Sequence, residues 1–263
     1  MKNKLRKCVK MLAVCAICLS CCGCIGRQVE GGHSKLNERQ MQILEESGLP
    51  TDYEELTLGQ KSAIEAIEEM LVYLEEKYEI PFAYDGYGTA SMFDDERLLA
   101  KPLEGEVTDT VEVTREWNDK KNAYEYEDNY ETFLAQPLYQ QAMEEYFAQH
   151  LEPGTYKVFV RVSRMDKEYD PDNVLSCAVA SCSLFIDEAA CRDGITLDKL
   201  AEDYSQWILQ YCDGAPVSIG FFILEEGRLP DINAENSTAL GGIDFLLEKR
   251  YCSISADGEV NIY

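Results

Sequence analysis

Basic residues are scarce in this 263-residue chain: 24 Lys and Arg stand against 49 Asp and Glu, a formal net charge of −25. A surface of that sign repels phosphate backbones and anionic headgroups. It excludes nucleic acid as a partner and points to cations, basic peptides or neutral ligands. Histidine is scarcer still. His33 and His150 are the only two, and both lie far in sequence from the cysteines of the last third. The cysteine spacings there are not CxxC, so neither a zinc site nor any other cofactor is expected. GxSxG, SxxK, HExxH, the P-loop and GxGxxG are all missing, and with them the constellations that mark common hydrolases and nucleotide enzymes. No residue is assigned a catalytic or metal-binding role. No apolar run reaches the roughly 20 residues that cross a bilayer.

What is present begins at the N-terminus. Lys2, Lys4, Arg6, Lys7 and Lys10 form a basic start, with no acid before Glu30. From Met11 to Ile25 every residue but Ser20 is apolar, small or Cys. A charged segment followed by a short apolar one ending in small residues is a secretory signal. Its end, Leu19-Ser20-Cys21-Cys22-Gly23-Cys24, resembles the bacterial lipoprotein signal, in which a small residue precedes a Cys that becomes diacylated and N-terminal. Gly23 before Cys24 fits best; Cys21 and Cys22 are alternatives. The resemblance implies a signal over 1–24, palmitate-type lipidation, and a mature chain held at the outer face of the cell membrane. Two acyl chains suffice for stable anchoring. Residues 25–36 (IGRQVEGGHSKL) then read as a flexible tether. Removing the five positive charges of the signal takes the body from −25 to near −30.

Six of the 11 cysteines fall in the signal, leaving Cys177, Cys182, Cys191, Cys212 and Cys252 in the body. Five cannot all pair internally. One or two disulfides, or small buried thiols in strands, both fit an extracytoplasmic chain.

The body reads as helices and strands with clear punctuation. Asn37 with Gln40 forms a capping box ahead of a helix that Gly48 stops, and Thr57 with Gln60 repeats it. Ile64, Ile67, Leu71 and Leu74 make a stripe at helical spacing, the core face of the second helix. Strands are predicted from Ile80 to Gly86, Arg97 to Leu103, Glu106 to Arg115 and Ala123 to Glu127, with a helix opened by Pro137 running to Leu151. Strands Thr155–Arg164 and Val174–Ile186 pair as a hairpin. Thr196 caps a helix that Gly214 ends, Val217–Leu224 is a buried strand, and Asp257-Gly258 joins a terminal hairpin. This order predicts an α+β fold with antiparallel sheets and helices on one face, in two subdomains, 37–152 and 153–263.

The stretch Leu36–Tyr87 (LNERQMQILEESGLPTDYEEL…AIEEMLVYLEEKYEIPFAYDGY) resembles uncharacterised lipoproteins of Gram-positive anaerobic bacteria. That resemblance bears on location and fold and implies no activity. Asp166, Glu168, Asp170 and Asp172 alternate like an EF-hand loop. Pro171 stands where that loop needs Gly, and Cys177 where it needs Glu, so they read as an acidic hairpin loop. Asp94, Asp95 and Glu96 read as a solvated loop or a helix N-terminus. Trp117, Tyr124, Tyr126, Tyr130 and Tyr139 are candidates for an aromatic, sugar-stacking surface. The reading that follows is a lipid-anchored, non-enzymatic binding module for a protein or small ligand. The alternatives are a surface hydrolase working through carboxylates and an accessory lipoprotein.

Overall fold

The computed structural model describes residues 36–90, 95–238 and 243–263. The signal, the lipidation candidates Cys24, Cys21 and Cys22, the tether up to Lys35, and Asp94 lie outside the described residues. The chain falls into two compact units, one ending at Ser62 and one starting at Ala63.

In the first unit, α1 (Glu38–Glu46) opens on the expected capping box. The Gln40 amide donates to Asn37 Oδ1 at 2.8 Å and the Asn37 amide donates to Gln40 Oε1 at 2.9 Å, satisfying two donors the helix leaves orphaned. Gly48 follows at φ 68°, the left-handed residue that lets the chain leave the helix. The Thr57 amide donates to Gln60 Oε1 at 2.9 Å and the Gln60 amide to Thr57 Oγ1 at 3.3 Å, at the start of α2 (Leu58–Tyr78).

In the second unit, the predicted α2 stripe of Ile64, Ile67, Leu71 and Leu74 is buried, with Met70 beside it. A four-stranded antiparallel sheet follows in chain order: β1 (Phe82–Gly88), β2 (Glu96–Pro102), β3 (Val111–Asn118) and β4 (Ala123–Asp128). β1 does not close at Asp85-Gly86. A bulge between Tyr84 and Gly86 carries the strand on to Gly88. β3 starts later than predicted and leaves Val107 outside. It pairs with β2 only as far as Ala100↔Val111, and Pro102 has no N–H to extend that ladder.

Helix α3 (Tyr130–Phe147) also departs from its prediction, with Pro137 inside it rather than at its start. The helix begins where Asp128 Oδ1 accepts the Tyr130 amide at 3.0 Å. Proline's φ is helical, and its defect is one missing donor. The buried face of Tyr130, Ala135, Tyr139, Met143, Tyr146 and Phe147 outweighs that loss.

The five-stranded sheet runs β5 (Tyr156–Met165), β6 (Ala178–Asp187), β7 (Val217–Leu224), β8 (Leu246–Ile254) and β9 (Val260–Ile262). β5–β6 is the predicted hairpin, and β8–β9 the terminal one. A single helical turn, Val174–Cys177, stands where the sequence predicts the start of a strand. β6 and β7 pair in parallel, the exception in an otherwise antiparallel sheet. The reason is the connection over 188–216, which contains α4 (Leu197–Ile208); a crossover of that kind returns the chain to the same end of the sheet. Thr196 Oγ1 caps α4 by accepting the Lys199 amide at 3.3 Å. α3 and α4 cover one face of the sheet through a cluster that includes Tyr139, Phe147, Tyr204, Ile219 and Phe221. On the other face Phe185, Phe222 and Leu224 pack with Leu229 and Ile232. The architecture is α+β.

Candidate functional site

The β3–β4 hairpin builds the most chemically distinctive surface of the second unit. Its turn is made by Asn118, whose Oδ1 accepts the amides of Lys120 and Lys121 at 3.0 and 3.1 Å, and by Asn122, which takes the left-handed φ of 49°. Asn tolerates that conformation better than most residues. The turn fixes the register Trp117↔Tyr124, Arg115↔Tyr126 and Val113↔Asp128. Side chains alternate along a strand, so Val113, Arg115 and Trp117 share a face with Tyr124, Tyr126 and Asp128. Glu69, Tyr73 and Lys77 meet that face from α2, each four residues from the last and therefore in one row.

The inner end of the row is closed by Asp128, whose side chain has no solvent exposure. Its Oδ2 accepts from Tyr73 Oη at 2.7 Å and Lys77 Nζ at 3.0 Å, and its Oδ1 from Tyr78 Oη at 2.7 Å. Burial pushes the carboxyl up. The two phenols, the ammonium and the Tyr130 amide outweigh burial and hold it below the ordinary carboxylate value. Tyr73 is pushed up to about 12, first by burial and then by its bond to Asp128.

The outer end is organised by Arg115. Its side chain is 6 % exposed, and it lies between Glu96, through Nε, and Glu69, through Nη1 at 2.5 Å. Glu96 also accepts from the Tyr87 hydroxyl. Burial raises the Glu96 carboxyl, and the guanidinium and phenol more than offset that, so Glu96 is held ionised. Glu96 is therefore not part of a solvated loop; it opens β2 opposite Arg115. The guanidinium also stacks on the Tyr124 ring at 4.1 Å from its centroid. Tyr124 meets Trp117 edge-on at 5.1 Å, and Trp117 Nε1 donates to Asp119 at 3.1 Å. Trp117 and Tyr124 remain 46 % and 40 % exposed, although the Tyr124 ring rests on the ion-paired guanidinium of Arg115.

Of the five candidate aromatics, the fold brings together Trp117, Tyr124 and Tyr126, the last stacked on Tyr73 at 5.0 Å. Tyr130 instead packs edge-on against Tyr78 and Phe82, and Tyr139 is in the core of the other sheet with no exposure. Helical residues cannot join a strand face on the strength of composition. Composition and motif do not mark Arg115, Glu69, Glu96 or Asp128 as partners of these rings. The available signal is Arg115 continuing the Val111, Val113 alternation, which puts a charge on a core face where it must find partners.

The other sequence candidates have local structural roles. Asp170 accepts the Asp172 amide at 3.0 Å and Asn173 Nδ2 at 2.6 Å, the hydrogen bonds of a turn in the β5–β6 connection. Among the described residues no group of three or more His, Cys, Asp or Glu converges as a metal site. His150 lies three residues past α3 with its ring 4.7 Å from that of Tyr146. Cys177, Cys182, Cys191, Cys212 and Cys252 are all free thiols. Cys182 and Cys252 sit level on either side of Ile219, two strands apart. That separation, about 9.6 Å between Cα atoms at the usual strand spacing, exceeds disulfide reach. Burial pushes Cys182 up to about 12 and Cys252 to about 11, which makes both poor nucleophiles.

No protein-family model matches the chain, and comparison with curated proteins finds no match. Among solved structures the chain is similar to a DUF5037 family protein from Ruminococcus gnavus, at 11% identity and a TM-score of 0.38. The alignment covers 72% of this chain and 91% of that one.

Proposed function

We propose that the protein is a lipid-anchored, extracytoplasmic binding module, held to the membrane through Cys24 and presenting the Trp117–Tyr124 face to a protein or small ligand. The observation that carries the binding role is that exposed aromatic pair on its preorganised base of Arg115, Glu69 and Glu96. Rigid aromatics lose little freedom when they bind, and exposed ones on a fixed base are typical of recognition surfaces. The anchor rests on the N-terminal sequence pattern alone. The acidic surface disfavours nucleic acid and leaves cationic or neutral ligands.

The carboxylates weigh against a hydrolase. A general acid needs a raised pKa. Asp85, Glu96, Glu125, Asp128, Asp170, Asp213 and Asp257 all move down. Glu69 and Glu96 share one guanidinium and so oppose each other across a charge that keeps Glu96 ionised.

Two measurements test the reading. Intact mass and membrane partitioning of the full chain, beside Cys24→Ala, are expected to show diacylglycerol on a chain beginning at Cys24 and its loss in the variant. A soluble, unlipidated chain would remove the anchor. Titration with a lysine-rich peptide and with neutral oligosaccharides is expected to give saturable binding that Tyr124→Ala abolishes. No saturable response to either probe would remove the face as a binding site.

A further inference from the structure

One face of the five-stranded sheet changes character along β5 and β6. Val158, Val162, Ala180 and Cys182 belong to the cluster under α3 and α4, so the alternate residues of both strands turn the other way. Of these, Phe159 and Phe185 pack with Leu229 and Ile232. Arg161, Ser163 and Ser181 continue the same face beyond that apolar cover and are exposed. The register sets Arg161 directly opposite Ser181, so the two side chains are cross-strand neighbours.

These three residues line a cleft of about 640 Å³. Its other walls are the start of α3, with Asn129 and Phe133, and the loop ahead of β3, with Asp109. A volume of that size suits a small molecule.

Charge sets the cleft apart. The chain carries 24 bases against 49 acids, so a basic side chain has carboxylates to choose from. Lys77, Lys101, Arg115 and Lys199 each hold one. Among the described residues Arg161 and Asp109 hold no side-chain partner, neither each other nor any third group. They are the one base and the one acid among the residues that line the cleft. An arginine and an aspartate that border one space without pairing leave a gap that a ligand carrying both charges can bridge. Two more groups face the same chemistry. Asn129 Oδ1 is committed to the Glu112 amide at 2.8 Å, which leaves its Nδ2 as a donor. The Ser181 hydroxyl is likewise without a partner among the described residues. A guanidinium fork meets a carboxylate through two parallel hydrogen bonds, and the carboxylate accepts further donors beside it. The half-buried Phe133 supplies an apolar wall.

We propose that this cleft binds a small zwitterion, an amino acid or a short peptide, with its carboxylate received by Arg161 and Ser181 and its ammonium by Asp109. The proposal is independent of the binding role argued above.

The test is calorimetric titration of the full chain with leucine, glycyl-leucine and glycyl-glycyl-leucine. The three probes differ in the separation of their charges, and at least one is expected to saturate. Arg161→Gln and Asp109→Asn should each weaken that probe at least about tenfold. Blocking the ligand should reproduce each loss. The C-terminal amide should bind wild type as weakly as the free probe binds Arg161→Gln, and should not sense that substitution further. The N-acetyl form should stand in the same relation to Asp109→Asn. Both side chains are exposed and unpaired among the described residues, so the variants should keep the wild-type unfolding midpoint. Tyr124→Ala should bind the probe as wild type does. Three results overturn the proposal: no probe saturates, either substitution leaves the affinity unchanged, or a blocked probe binds wild type as well as the free one. Should a variant not fold, the blocked probes on wild type decide.

Discussion

The two sheets of the second unit solve the same problem with different materials. The five-stranded sheet is held by apolar contact. Phe221 has no exposure, lies 6.3 Å from Phe147 and 6.0 Å from Tyr204, and belongs to a cluster with aliphatics of both helices and the thiols of Cys182 on β6 and Cys252 on β8. The four-stranded sheet buries Val111, Val113, Leu98 and Ala100, and then continues the same face with ions and phenols tied by Asp128 and Arg115. Apolar packing is indifferent to pH, and buried carboxylates are not. The contrast therefore predicts two regions that fail by different routes, although both rest on buried side chains.

The largest effect should come from the apolar side. Phe221→Ala removes a whole buried ring and leaves a cavity among neighbours that cannot all close in, at a cost of about 4 kcal/mol. Denaturant unfolding should show a lower midpoint with the loss unchanged between pH 5 and pH 8. A cost under about 1 kcal/mol would mean that the cluster repacks and that the sheet does not depend on its aromatic centre.

On the polar side, Asp128→Asn leaves two phenols and an ammonium facing an amide, at a cost of about 3 kcal/mol near neutral pH. This loss must depend on pH. The folded-state pKa of Asp128 lies below the ordinary value of about 3.9, so its stabilisation is complete above about pH 4 and fades as pH falls through the folded value. The stability gap between wild type and variant should narrow only below about pH 4. A gap that stays constant to the point of acid unfolding would show that the carboxylate's charge is not what braces the sheet.

The two regions were not equally legible. The capping boxes at Asn37 and Thr57, the cap at Thr196, the α2 stripe and the β5–β6 and β8–β9 hairpins follow from local spacing, because each depends on residues a few positions apart. The apolar run of β7 marked it as a buried strand, and every residue of it but Ser218 is buried. The parallel β6–β7 pairing depends on where a crossover lands. The start of α3 depends on Asp128, which does not look like a cap when Pro137 offers a stronger local signal. The candidate site was half visible: Trp117, Tyr124 and Tyr126 stood out as aromatics. Their base joins Glu69, Glu96 and Arg115 from three elements, and only the register of β2 and β3 and the angle of α2 bring those together.

Glycines sharpen the contrast at a smaller scale. A Cβ on Gly220 of β7 would overlap the Phe222 ring and come within 3.3 Å of Tyr251. Phe222 is itself stacked on Phe185 at 5.0 Å and has no free direction in which to move. Gly220→Ala should cost about 2 kcal/mol through overpacking. On β1, the nearest atoms to a Cβ at Gly86 belong to the Leu99 side chain, the closest at an ordinary 3.5 Å. Gly86→Ala should stay within about 0.5 kcal/mol of wild type. Equal losses at the two positions would erase the difference in packing tightness between the sheets.

The smallest effect on stability should fall on the residue with the largest functional claim. Trp117 is nearly half exposed, and its indole meets the Tyr124 ring edge-on. Trp117→Ala removes one edge-on ring contact and an exposed hydrogen bond to Asp119, which together should shift stability by less than about 1 kcal/mol. The Arg115 cluster beneath it does not need the indole, because Glu69, Glu96 and Tyr124 supply its contacts. Unfolding midpoints within that margin, measured beside Phe221→Ala, would separate an aromatic kept for recognition from one kept for packing. A loss approaching that of Phe221→Ala would make Trp117 a structural member of the first sheet and would leave the proposed binding face without its central residue.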